Sequence, residues 1–430
     1  MSDRATVRRA DEMHRDELAV LVREMLLAGQ LIDRAGMPHL IADYGRDEMG
    51  RIAIDEWMGA SPIYTRRMQR MLGFSGETIE TMFKGLQLDI GAPPEFMDFR
   101  LKVIDDHHGE FWLDHCGALM DVEPMGDEYV HTMCHDIEDP TFDATAMATS
   151  PYARIRPIHR PPRAPADRHP HCHWTATIDP GLDPLPEPEP ATHIATSRLA
   201  ALAVPAIHSG GEGWSDYRAP MDADLRMEWF SQATLLGLLH ETAVQAHLLV
   251  MSFGFAIQRR HGIDDARRIV AKQMAGIAGI SSERLHDAMG LDGSQSALAQ
   301  VLELHPLLKP RDYVAARIER SADGEGLRVA LADCDAMHEP FINWIKLLAD
   351  GHDDGLRTLV QGVDLHYDIE RVRPGDGEVA AWRVVRRDEP ARESRLGRAH
   401  EVQLGCDVRV LRDTRQPRER SGSADRLVDP

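Results

Sequence analysis

Three cysteines between Phe111 and Trp174 each touch a histidine in sequence, as His115-Cys116, Cys134-His135 and His171-Cys172-His173. Thiolate and imidazole are the side chains that bind soft and borderline cations, and a thiolate is also a strong nucleophile. Cys116, Cys134, Cys172, His131 and His135 are therefore the candidate ligands of a metal, zinc or iron. Cys116 is equally a candidate nucleophile, with Asp114, Glu138 or Glu24 as the acid that handles protons. The thiols lie 18 (116 to 134) and 38 (134 to 172) residues apart, unlike the tight pairs of zinc motifs. Ordinary core cysteines, a metal site and a catalytic thiol are accordingly all open readings.

The elements that would carry these groups decide which can meet. On an alternating strand, Cys116 shares a face with Asp114 and Trp112 while His115 points the other way, and Cys172 with Trp174 is separated from His171 and His173. His131, Cys134, His135 and Glu138 follow helical spacing and fall on one face of a helix. Two strands and one helix could thus bring three thiols together.

Sliding the chain against itself by 217 residues pairs 18–73 with 235–290 without a gap, including Glu24 with Glu241, Gly45 with Gly262 and Arg67 with Arg284. A repeat of this length is a whole domain rather than a solenoid unit. Each copy opens with amphipathic helices, ended by Gly45 or Gly262, and then changes to the period of strands, 97–103 and 110–116 in the first copy, 314–320 and 327–334 in the second. Segments 153–160, 171–178, 366–372 and 379–385 extend the two sheets. The class is α+β, two tandem copies of helices followed by a small antiparallel sheet, packed as a pseudo-dimer. The expected boundaries are 12–179 for the first copy, 180–226 for a Pro- and acid-rich linker, 227–385 for the second copy and 386–430 for a charged tail. The second copy is degenerate: it keeps Cys334 opposite Cys116 but has Ala380 where Cys172 would fall. Glu24 and Glu241 read either as a general base or as acids of a boundary ion pair.

Composition narrows the function classes. A net charge of −21 argues against a nucleic-acid partner, and no apolar run approaches the roughly 18 residues of a membrane span. An odd five cysteines in 430 residues suit a reducing compartment, so a cytoplasmic location is expected. No organic cofactor is indicated, since Ser209-Gly-Gly-Glu-Gly213 lacks the spacing and lysine of a phosphate loop and reads as a turn.

The strand ending in Cys116, the helix carrying Cys134, and the segment ARIRPIHRPPRAPADRHPHCHWTATI, with Cys172 two residues before Trp174, resemble the L-2-amino-thiazoline-4-carboxylic acid hydrolase-like family. More distantly the pattern is similar to vinyl-reductase-type ligand-binding domains, in which a cysteine-bound zinc sits beside a small-molecule pocket. The resemblance covers about 18–178 and, in its helices and first hairpin, 235–385. It implies an α+β domain with a pocket for a small organic molecule, with Cys116, Cys134 and Cys172 at the family's cysteine positions. The expected function is an enzyme on such a substrate, by metal-assisted or thiol-dependent hydrolysis. The rivals are a small-ligand sensor or carrier braced by a metal, and an interaction scaffold with no site.

Overall fold

Gly45 and Gly262 each stand alone between two long helices. Their φ angles of 83° and 93° suit glycine, and each glycine ends one long helix and caps the next. The helices so joined are α1 (Arg15–Tyr44) with α2 (Arg46–Leu72), and Gln232–His261 with Ile263–Ala288. The computed structural model describes residues 7–208, 210–320 and 326–391. Residues 392–430 of the expected tail, 323–325 of the turn in the later hairpin, and Ser209 lie outside the described residues.

The four long helices form one layer of crossed contacts: α2 packs on Gln232–His261, and α1 on both that helix and Ile263–Ala288. Close approach needs a small residue at the α2 crossing, where a Cβ on Gly59 would come within 2.1 Å of Ser252 Oγ. The apolar stripe at Leu18, Leu21, Val22 and Met25 starts α1 as expected. Between Leu26 and Met37, however, every residue but Leu31 is buried, so the helix runs through the interior rather than along its edge.

Each helical pair leads into a four-stranded antiparallel sheet. In chain order the strands are β1 (Met97–Val103), β2 (His108–Cys116), β3 (Ala153–His159) and β4 (Cys172–Ile178), then β5 (Ala316–Arg320), β6 (Leu327–Ala332), β7 (Tyr367–Val372) and β8 (Glu378–Arg386). The sheet orders are β1-β2-β4-β3 and β5-β6-β8-β7, the same arrangement twice. Mixed helix and antiparallel sheet is the expected class. The apolar faces of both sheets and all four long helices join one continuous core, with Phe111, Trp174, Trp344 and Trp382 sealed inside it. Among the described residues, no helix is long and apolar enough to cross a membrane.

The Pro- and acid-rich spacer expected at 179–190 carries no helix or strand before 189. After 183–188 the segment between the halves forms short helices at Glu189–Ile194 and Arg198–Ala201, and it is tied down by Arg66 to Glu187 and by Glu339 accepting from the Leu199 amide. The glycine-rich stretch after 209 turns through positive φ at Gly210, Gly211 and Gly213.

Candidate functional site

Strand β2 does not keep strict alternation to its end. Phe99 opposes Leu113 but Met97 opposes Cys116, a one-residue register shift that turns Cys116 inward. Cys116 therefore shares the buried face with Phe111 and Leu113, and not with Asp114 and Trp112 as alternation alone predicts. Its sulfur lies 3.5 Å from Met97 Sδ and accepts the Leu119 amide at 3.4 Å, capping the next helix. Asp114 faces solvent in a pair with Arg100 at 3.1 Å, away from the interior where an acid would meet Cys116. In β4 the alternation holds, with Cys172 and Trp174 inward, although His171 just before the strand is buried too.

The middle segment departs from its expected helix as well. Thr132–Ile137 is a π-helical turn, whose wider spacing breaks the single face. Cys134 is buried and Glu138 turns one oxygen, Oε2, out of solvent, while His131 and His135 stack on each other at 4.2 Å on the outer side. His135 Nε2 donates to the Pro161 carbonyl at 2.7 Å, and His131 stands 3.5 Å from Asp136 with more than half its side chain exposed. Neither imidazole joins the thiols. Glu24 is elsewhere again, bound through both oxygens to Arg284 at 2.8 and 3.2 Å across the helical layer.

Cys116 and Cys172 are both close enough to Cys134 for their charges to act on its thiol. Burial first, and the Glu138 charge second, raise all three thiols, Cys116 to about 12 and the other two well above the usual range. They are neutral at physiological pH, which suits packing better than nucleophilic attack. Among the described residues no group of three or more His, Cys, Asp or Glu side chains is placed to hold a metal ion. The donor set thus does not fit the zinc or iron centre that the sequence pattern and the resemblance imply.

Beside the thiols lies a cavity of about 110 Å³, between α1, α2, the Ile79–Leu86 helix and the inner face of the first sheet. None of the three cysteines lines it; Met97, Ala118, Met133 and Ile137 do. The polar part of the wall includes Gln30, Asp33, Arg34, Tyr64, Asp89 and Glu138, with Thr141 and Thr145 beside them. Tyr64 donates to Asp89 Oδ1 at 2.8 Å and the Gly91 amide donates to the same oxygen at 2.6 Å. Burial outweighs both bonds and pushes Asp89 up to about 6. Glu138 is pushed up to about 8, again by burial, with Arg160 opposing and Asp139 assisting. Arg160 is itself held by Asp139 at 2.5 Å and lies over the Trp174 ring.

Behind that wall α1 and α2 bury an ionic group. Arg34 is 3.2 Å from Asp33 and 3.7 Å from Asp121, all three in the interior. Glu56 is fully buried, has no hydrogen-bond donor on either oxygen and lies against Asp33, so burial and that neighbour keep it protonated. Gln30 Oε1 and Arg34 Nε also make no hydrogen bond, and Arg34 Nη1 meets only the Asp121 carboxylate at 3.7 Å.

The spacing of cysteines and histidines gave no hint of this wall, but the internal comparison did contain one. At the 217-residue offset, Asp33, Arg34, Glu56 and Tyr64 stand opposite Val250, Met251, Gln273 and Ser281. Charged or phenolic groups in the first half face smaller or uncharged ones in the second, all buried. No family model matches the chain, and neither a curated protein nor a solved structure matches it.

Proposed function

We propose that the chain is an enzyme that binds a small organic molecule in the first-half cavity and moves a proton on it, with Glu138 as the acid. The observation that carries this reading is a carboxyl held near neutrality by burial in the wall of a cavity that also exposes Asp89 and Tyr64. A general acid works best with its pKa close to ambient pH, and two carboxyls pushed to about 6 and about 8 divide into a base and an acid. Cys116, Cys134 and Cys172 serve as packing behind the wall in this reading, and no step passes through a metal. The small-molecule pocket implied by the hydrolase-like resemblance agrees with it. Hydrolysis is one outcome such an acid and base support.

The second half acts as scaffold. Reciprocal contacts support the two halves being tandem copies that pair as a pseudo-dimer: Glu24 bonds Arg284 while Arg67 bonds Glu241, and Tyr44 bonds Asp265 while His261 bonds Glu48. Each pair maps onto its mate by the offset of 217. In this reading the cytoplasm is the working compartment, where reduced thiols persist.

Incubation of the full-length protein with a cell extract, followed by mass spectrometry of small molecules, tests the proposal. A compound consumed by the wild type and bound but not consumed by Glu138→Gln is the expected result. A compound bound unchanged by both would make the chain a carrier or sensor, and no bound or consumed compound would refute the cavity as a site.

A further inference from the structure

Asp89 sits on a turn that the later half of the chain grips. Gln245, on the helix Gln232–His261 and only 1% exposed, reaches the backbone on either side of that carboxyl. Its Nε2 donates to the Leu88 carbonyl at 3.0 Å, and its Oε1 accepts from the Ile90 amide at 3.1 Å. Leu88 and Ile90 are buried, so the side chain satisfies one carbonyl and one amide that would be costly to leave unpaired. On the other side Ile90 rests on α1 at Gly29, where a Cβ would come within 2.5 Å of Ile90 Cβ. The turn is thus fixed at three points: its backbone by Gln245, Ile90 by Gly29, and the Asp89 carboxyl by Tyr64 and the Gly91 amide.

The mirror contact is built without these parts. At the offset of 217, Gln245 stands opposite Ala28, and Leu88-Asp89-Ile90 stand opposite His305-Pro306-Leu307. Ala28 lies with those three residues around a void of about 10 Å³, and its methyl group has nothing with which to bond their backbone. That turn is held from within its own half instead: His305 Nδ1 accepts from the Leu307 amide and His305 Nε2 donates to the Ala278 carbonyl, both at 3.1 Å. Joining the halves therefore does not require a clamp of this kind. The long amide side chain stands at the turn that carries a cavity carboxyl, and alanine stands where proline takes the place of Asp89.

We propose that Gln245 is a positioning residue of the first-half cavity: by holding the backbone on both sides of Asp89 it keeps that carboxyl in the cavity wall. The later half then completes the site as well as supporting it. The inference rests on the cavity being the functional site with Asp89 as its base. Proton transfer demands close placement, and a displacement of about 1 Å caused far from the chemistry can cost about a hundredfold in rate.

Carbon-13 NMR of the full-length protein labelled at its aspartate carboxyls reads the placement of this group, with the Asp89 signal assigned by its loss in Asp89→Asn. In the wild type Asp89 should titrate at about 6. Gln245→Met keeps the length of the side chain and removes both bonds. Asp89 should then titrate at least about one pH unit lower, because a released turn admits water and burial is what holds the value up. Gln245→Asn, too short to bond both sides, should fall between the two and serves if the methionine variant does not fold. Gln273→Met removes a different buried bond between the halves, from Gln273 Nε2 to the Ile32 carbonyl at 3.3 Å, and should leave the Asp89 titration in place. An unchanged Asp89 in folded Gln245 variants, or an equal change in Gln273→Met, overturns the positioning role and leaves the cavity reading intact. Asp89 titrating at about 4 in the wild type, as an exposed aspartate does, would instead overturn the base in the proposed chemistry and the role of Gln245 with it.

Discussion

Replacing Glu138 by Gln should make the protein more stable at pH 8 than at pH 5 relative to the wild type. The folded protein holds the Glu138 proton up to about 8, whereas an unfolded chain releases it near 4.5. The folded state therefore binds more protons between these values, and the contribution of Glu138 to stability falls as pH rises through that window and levels off above it. Moving a carboxyl over that range is worth at most about 5 kcal/mol. Only Oε2 is sealed while the cavity admits solvent to the rest of the group, so about 2 kcal/mol is the amount expected in practice. The glutamine variant lacks the titration, and groups common to both proteins cancel in the difference. Urea unfolding followed by tryptophan fluorescence at pH 5, 6, 7 and 8 measures it. A variant whose advantage grows by about 2 kcal/mol from pH 5 to pH 8 supports a protonated Glu138. Parallel stability curves would mean that the carboxyl is ionised throughout, and the acid in the proposed chemistry would be lost.

Two other outcomes follow from the geometry. Arg67 grips Glu241 through bonds of 2.8 and 2.7 Å with both side chains sealed, so Glu241→Ala should cost about 3–5 kcal/mol by stranding a buried guanidinium. The matching Glu24→Ala, at a pair that water reaches, should cost about 1 kcal/mol, and equal losses in urea unfolding would contradict the difference in burial. Dialysis against a chelator should leave the melting temperature unchanged, with no stoichiometric zinc or iron in untagged protein, because no group of three described donors is placed to hold an ion. Metal that is lost in Cys134→Ser and kept in Cys334→Ser would refute that expectation.

Much of the scaffold was legible in the chain because its signals are local. Alternation at Met97–Val103 and Cys172–Ile178, and glycines at 45 and 262 that must adopt positive φ, define strands and helix junctions without tertiary information. The site was less legible for equally physical reasons. A single register shift in β2 reverses the face of Cys116 relative to Asp114, and a π-helical turn separates His131 and His135 from Cys134 and Glu138. Period arguments assume that neither irregularity occurs. The cavity wall could not be read from the chain, because a charged pair such as Asp33-Arg34 inside a helical pattern carries no local sign of burial. In α1 it marks the interior, because neighbouring helices cover the helix on every side there.

That buried charge is the strongest reason to place function in the first half. Val250 and Met251 fill the positions corresponding to Asp33 and Arg34 with fully buried apolar side chains, and Gln273 stands opposite Glu56. A core selected for stability alone would use such residues in both halves, since exchanging a buried ion group for packed apolar side chains is commonly neutral or stabilising by about 1–4 kcal/mol. The first half retains Asp33, Arg34, Glu56 and Asp89 against that gradient, and it does so around a cavity. Structural need does not explain the difference, because the later half builds the same sheet order on the same pair of long helices without them. The proposed binding function would account for it, since a guest held in that cavity recovers in the complex what the empty protein forgoes.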